Sequence, residues 1–288
     1  MTGEFHINGI DIFDTYGVFV TKEGFNDLLS YPALKKVDTN DWPEEDGLEA
    51  DLTLPVLEGR DFVISFGFVG SEADFNGFCA LLEKEVYADA VILGRSYRLR
   101  LLSYSGITQV NGNLHSFSVR FADDYPLYGY EYMVPMSGLG IGGQYELDGV
   151  DFGAYGIRVV DDHISEDLGR PDIKEALKRN IDTIGGRIYD GGAQVKRKGR
   201  DMTLSCYMKA ASLPYLWRNY DAFLHDWVRA DMSRADITQR GLRALTVSAS
   251  GRQMQCYYRS SQVKDFVPAD GEAWILFSVT FTIVADKL

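Results

Sequence analysis

The sequence predicts a mainly β, β+α fold built as two tandem copies of one antiparallel domain, each with one packed helix and a long hairpin. Three observations carry this. The chain holds 17 Tyr, 16 Phe and 29 Gly among 288 residues, a mixture that favours strands and turns over a helix bundle. Large apolar residues alternate with polar ones in two long stretches, the period of half-buried strands. And the opening INGIDIFDTYGVFV (Ile7 to Val20) returns as LDGVDFGAYGIRVV (Leu147 to Val160).

The repeat keeps its order along the whole chain. Asn8-Gly9 matches Asp148-Gly149, Asp11 matches Asp151, and Tyr16-Gly17 matches Tyr155-Gly156. Pro32 and Lys35 match Pro171 and Lys174, and Asp46-Gly47 matches Asp190-Gly191. Gly59-Arg60-Asp61 matches Gly199-Arg200-Asp201, and Ser65 matches Ser205. Near the ends, Phe117-Ser118-Val119 with Phe121 matches Phe277-Ser278-Val279 with Phe281. Two copies are too few for a solenoid, so a duplicated domain is expected. The division is residues 1–127, a connector over 128–146, and 147–288.

Each copy opens on a polar turn into a first strand. After the Asp-Gly turn comes a long strand: Phe62, Ile64, Phe66 and Phe68 point one way in the first copy, Met202, Leu204, Cys206 and Met208 in the second. A helix follows. Ser71 can cap the first, with Asp74 three residues on and an apolar stripe of Phe75, Phe78, Leu82 and Val86. Ser212 can cap the second, with Pro214 in its first turn and a stripe of Leu216, Tyr220, Phe223, Leu224 and Trp227. A hairpin closes each copy, through Tyr97–Tyr104 and Leu114–Phe121, then Gln253–Ser260 and Trp274–Val284. The connector is rich in Gly, Tyr and Pro. The five tyrosines between Tyr125 and Glu146 argue for an ordered crossing that packs on a neighbour rather than a free linker.

Charge separates the two copies. The net charge is −13. Residues 1–146 hold 9 Lys/Arg against 23 Asp/Glu, whereas residues 147–288 hold 20 against 19. The acidic total disfavours tight nucleic-acid binding, and the asymmetry lets the copies orient one another across an interface. The three cysteines (Cys79, Cys206, Cys256) form no CxxC and are expected as small buried hydrophobes in a reducing compartment. No apolar run is long enough to span a membrane, and the N-terminus shows no secretory signal.

Motifs of enzyme chemistry give no positive lead. GLGIGG (Gly138 to Gly143) lacks the following helix that a dinucleotide site needs. DTNDWPEEDG (Asp38 to Gly47) offers carboxylates for glycoside hydrolysis or calcium, but reads as a solvated hairpin tip. Its counterpart DTIGGRIYDGG (Asp182 to Gly192) keeps only the Asp-Thr opening and the final Asp-Gly. The four histidines share no metal spacing. No cofactor and no catalytic or metal residue is expected. Candidate contacts between subunits are the paired Arg60-Asp61 and Arg200-Asp201, the tip residue Trp42, and the basic run Lys196, Arg197 and Lys198.

The ordered set of NG-x-D, Tyr-Gly, Pro-x-x-Lys, Asp-Gly, Arg-Asp and Phe-Ser-Val-x-Phe resembles the N-terminal domain of phage distal tail proteins, itself similar to the tail-tube fold. The resemblance covers both copies. It implies tail-tube-like β-sandwich domains in a ring between tail tube and baseplate, continuing the DNA channel. It further implies a virion tail-tip protein assembled in the host cytoplasm, with tail-tube, tape-measure and tail-tip hub proteins as partners. DNA would only pass through, and no membrane insertion is implied. A trimer with pseudo-six-fold symmetry is the expected homo-oligomer, a hexamer the second choice. The chain departs from the family pattern in having a second ring domain where a carbohydrate-binding-like domain is usual. The rival expectations are a hub of a contractile injection system, a two-domain carbohydrate-binding module with Trp42 or Trp217 as platforms, and a hydrolase using the Asp38–Asp46 carboxylates.

Overall fold

The computed structural model describes residues 4–21, 24–136, 143–160, 169–175, 177–190, 195–269 and 272–287. The glycine run up to Gly142, His163 and the Gly191-Gly192 part of the second Asp-Gly turn lie outside these residues.

The first half begins with β1 (Phe5–Ile7) and β2 (Ile10–Asp11). Asn8 and Gly9 join them with φ of 49° and 79°. A two-residue turn with both φ positive matches the right-handed twist of the strands it joins, and Asn-Gly tolerates it best. Helix α1 (Ile12–Tyr16) follows, its N-terminus capped by the Asp11 carboxylate and its C-terminus by left-handed Gly17. Then come β3 (Val18–Val20), α2 (Asn26–Leu29), β4 (Thr39–Asn40), β5 (Glu49–Ala50) and β6 (Arg60–Val69). Helix α3 (Glu72–Glu83) starts on a capping box in which Ser71 and Asp74 satisfy each other's backbone N–H. It ends before Val86, which is exposed outside the helix. Of the expected stripe Phe78 and Leu82 are buried and Phe75 is half-buried against Phe68 and Phe117, with Leu81 buried beside them. β7 (Ala88–Ile92), β8 (Arg95–Tyr104), β9 (Thr108–Asn111) and β10 (Leu114–Asp123) complete this half.

The second half repeats the plan. Strands β11 (Tyr145–Leu147) and β12 (Val150–Asp151) meet at Asp148-Gly149, again both at positive φ. A 3-10 turn over Phe152–Tyr155 ends on left-handed Gly156. β13 (Ile157–Val159), β14 (Leu177–Arg179), β15 (Ile188–Asp190) and β16 (Arg200–Ala210) follow. Helix α4 (Leu213–Val228) has Ser212 at its N-cap without a side-chain capping bond. β17 (Arg243–Val247), β18 (Arg252–Ala269) and β19 (Glu272–Lys287) close the chain.

The main sheets have the same strand order. It runs β2-β1-β7-β8-β10-β6-β3 in the first half and β12-β11-β17-β18-β19-β16-β13 in the second, all pairs antiparallel. Register agrees as well. Ser65 faces Ser118 with Phe66 opposite Phe117, and Ser205 faces Ser278 with Cys206 opposite Phe277. A separate two-stranded hairpin projects from each half, β4-β5 and β14-β15. We call residues 31–60 and 171–200 the two arms. Single bridges at their bases, Leu34 with Leu57 and Ile173 with Arg197, occupy matching places. Asp38-Thr39 enters β4, whereas Asp182-Thr183 lies beyond β14, so the shared Asp-Thr does not mark equivalent positions.

One continuous core joins both halves. In the first, Phe66 stacks on Phe117 and meets Phe78 edge-on. In the second, Phe223 and Phe277 meet at 6.0 Å and Trp227 stacks on Phe281. Full burial of each such side chain stabilises the fold by about 1.5–3 kcal/mol. All three cysteines are free thiols. Cys206 and Cys256 are buried and Cys79 half-buried, and burial pushes each thiol upward.

Candidate functional site at the seam between the halves

The first arm lies on the second half. Along its length the Leu34 N–H donates to the Arg259 carbonyl (2.9 Å), Leu48 N–H to Val284 (2.8 Å) and Leu52 N–H to Thr238 (2.8 Å). Between these bonds Ala50 and Leu52 are buried with Leu242, Tyr257 and Val284. Gly47 sits at φ 79° hard against the Val284 carbonyl, where a Cβ would collide. The arm tip is clasped by the base of the second arm. Lys174 Nζ donates to the carbonyls of Trp42 (2.9 Å) and Gly47 and pairs with Asp41 (2.5 Å), while the Arg197 N–H donates to Asp46 (2.7 Å). A lysine only 4% exposed is tolerated because these acceptors replace its water.

Strand β18 outruns β17, which pairs with it only from Arg252 to Cys256. Beyond that point α2 and the chain after it cover its edge. The Val263 N–H donates to Ser30 Oγ (2.8 Å), Asn26 Nδ2 donates to the Lys264 carbonyl (3.0 Å), and Tyr258 OH donates to Pro32 (3.0 Å). Arg60 fixes this segment by donating to the carbonyls of Asp27 (3.0 Å), Leu28 (2.8 Å) and Ser30, with Asp123 at 3.4 Å. Burial pushes the Asp123 carboxyl up, against the pull of Arg60.

Helix α4 carries the third part of the seam. Asp221 pairs with Arg95 (2.6 Å), whose guanidinium lies 5.0 Å from the Trp217 ring centroid. Burial pushes Asp221 up; burial alone would lower Arg95, but the facing carboxylate outweighs it and holds the guanidinium charged. Trp217 donates its indole N–H to the Leu93 carbonyl (2.7 Å). Along the same helix, Asn219 brackets both backbone groups of Met136, and Asp226 accepts from Tyr132 (3.2 Å) and Tyr155 (2.7 Å). The connector is thus tied down along α4. Tyr130 and Tyr132 both pack on His225, which burial holds below its usual pKa.

Beside this seam opens a cavity of about 700 Å³, with Arg60, Arg95, Tyr97, Asp123, Trp217 and Asp221 in its wall. Of its carboxylates, Asp123 and Asp221 already face arginines, so these two are held in ion pairs rather than offered as an open acid and base. No group of three His, Cys, Asp or Glu suited to a metal occurs among the described residues, nor is any described helix long and apolar enough to cross a membrane.

The candidate residues fall into different places. Arg60 works inside its own half, and Asp61 pairs with Arg120 (2.9 Å) on the surface. Arg200 heads β16, and Asp201 accepts from Thr282 in the neighbouring strand. Trp42 is 50% exposed at the arm tip with its indole N–H on Glu49 (2.9 Å). Arg197 joins the clasp and also donates to Pro171 (2.8 Å), while Lys196 and Lys198 pair through their backbones with Lys174 and Asp172. Trp217 is buried against the first half, which removes it as an exposed platform. Lys174, Arg95 and Asp221 were not among the candidates. Lys174 was visible only as the Pro-x-x-Lys repeat mark, and Asp221 only as an acid inside an apolar helix.

No family model and no curated protein matches the chain. Among solved structures it is similar to SPP1 Dit (gp 19.1), described as a paradigm of the hub adsorption apparatus in phages infecting Gram-positive hosts. The two are 11% identical, with 99% of each chain covered and a TM-score of 0.32, a likeness too loose to equate the folds.

Proposed function

We propose that the chain is a non-enzymatic structural protein of a phage or prophage-derived tail tip, forming a ring that joins tail tube to baseplate and continues the DNA channel. The observation that supports it most is the strand order shared by the two halves, joined head to tail by an arm that lies on its neighbour. A unit that covers the next unit's edge through a heterologous contact generates rings when the rotation closes. Duplication within one chain makes half of those contacts intramolecular and raises their effective concentration. Three chains of two units would give a pseudo-six-fold ring, the symmetry suited to a tail tube. The motif order that resembles distal tail proteins directs this ring to the tail tip. The acidic first half suits a conduit, since negative walls repel DNA phosphate.

The test is native mass together with end-on images of the purified protein. Three chains in a six-lobed ring are expected. A chain that stays monomeric and binds glycans would replace this reading with the carbohydrate-binding one.

A further inference from the structure

The first arm lies on the second half along its length, whereas among the described residues the second arm is covered only at its base, by the tip of the first. Lys174 is buried under the tip of the first arm, yet its counterpart Lys35 at the base of that arm is exposed. Leu34 packs into the seam, whereas its counterpart Ile173 is 55% exposed. Ile184 and Val195 on the second arm are exposed as well. Leu54 and Val56 are exposed on the first arm too, so the distinguishing residue is Ile173, which presents to water the apolar side chain that its counterpart packs into the seam.

The missing surface exists on the first half. Phe121 faces Leu101 where Phe281 faces Tyr258, and Val119 faces Tyr104 where Val279 faces Ser261. Leu102 consequently stands where Arg259 receives Leu34 of the first arm, and Ile107 where Lys264 receives Asn26 of α2. Both are exposed, as is Val86, two residues before β7, at 70%. Strand β7 pairs with β8 only up to Leu99, so the outer edge of β8 is open beyond it, as that of β18 is beyond Cys256. On β18 this edge is closed by Asn26 and Ser30 together with Leu34 at the base of the first arm; on β8 nothing performs that role among the described residues.

Charge supports the match. Residues 31–60 hold 3 Lys/Arg and 8 Asp/Glu, whereas residues 171–200 hold 8 and 4. The second arm is basic and the half bearing the uncovered edge is strongly acidic.

We infer that the second arm of one chain seats on the outer edge of β8 in a second copy, repeating between chains the contact that the first arm makes within one. Ile173 then lies over Leu102, as Leu34 lies over Arg259, and Lys35 is clasped by the incoming arm tip. This requires head-to-tail assembly but not a tail function.

Cross-linking tests it in a Cys79→Ala background, in which the two remaining cysteines are buried. Ile173→Cys chains mixed with Leu102→Cys chains are expected to form a disulfide-linked pair under mild oxidation, and neither variant alone should do so. A chain carrying both changes should give a ladder that ends at three chains if the ring closes. Ile173→Glu, mixed with Leu102→Glu, should halt at dimers, because only one of the two possible contacts survives. Absence of the disulfide in the mixture, whether the unaltered protein is monomeric or assembled, overturns the inference. An intact three-chain ring without the cross-link would discard the arm placement and keep the ring. A cross-linked ladder that never closes would keep the arm placement and discard the ring.

Discussion

Helices α3 and α4 occupy matching places in their sheets, yet one is a surface helix and the other an interior one. α3 buries Phe78, Leu81 and Leu82, half-buries Phe75 and Cys79, and keeps its polar side chains at or near the surface. α4 buries apolar residues and also Asn219, Asp221 and Asp226, because the connector and the β7-β8 turn cover its outer side. The same fold thus carries a helix with a solvated outer face, touched by α1 through Tyr16, and a polar-networked one where the connector and the other half lie on it. The buried polar residues of α4 serve to orient the two halves. Apolar side chains there would bury as much area but would not fix the relative placement as hydrogen-bonded pairs do.

The difference can be broken first at Asp221. Asp221→Ala leaves the buried Arg95 guanidinium unpaired and should cost about 3–5 kcal/mol in urea unfolding. Asp61→Ala, which frees the exposed Arg120, should cost no more than about 1 kcal/mol. Equal losses would mean that the seam carries no special weight.

A smaller effect separates the helix starts. Ser71→Ala removes a capping box and should cost about 1 kcal/mol. Ser212→Ala should cost only about a few tenths, since its hydroxyl makes no capping bond. Thermal unfolding of the two variants side by side reads the difference.

The smallest effect is a pH slope. His225 is held below its usual pKa by burial, so the folded state binds its proton less readily than the unfolded chain. Its contribution is complete above the unfolded value near 6.5 and is lost as pH falls from there through the lower folded value. His225→Leu should flatten the loss of stability between about pH 7 and 5. An unchanged slope would locate the acid sensitivity elsewhere.

Local chemistry was legible in the sequence. Asn8-Gly9 and Asp148-Gly149 announce their turns, Ser71 and Asp74 announce a cap, and the alternation of Phe62 to Phe68 gives a strand whose buried face is the expected one. Matching Ser65 with Ser205 and Ser118 with Ser278 carries through to matching register. What escaped was non-local. Val86 continues the helical period but falls after the helix end, since periodicity does not register where the backbone turns. The clasp of Lys174 on Trp42 and Gly47 spans more than 120 residues, and no spacing rule reports it. The Asp221–Arg95 pair was hidden because an acid in an apolar helix reads as its solvated face until a partner is known.

Strand β18 runs unbroken from Arg252 to Ala269, whereas its counterpart is interrupted between Tyr104 and Thr108. At the break the Ser105 hydroxyl takes the Ser118 N–H that a continuous strand would receive. An uncovered edge with such an interruption cannot template a long run of backbone pairing with a stray chain. On the inferred arm placement, the half that would receive a neighbour is also the half whose open edge is least suited to stray strand pairing. The break thus protects the free chain where its edge lies open, and the half whose edge is closed by Asn26, Ser30 and Leu34 has no need of it.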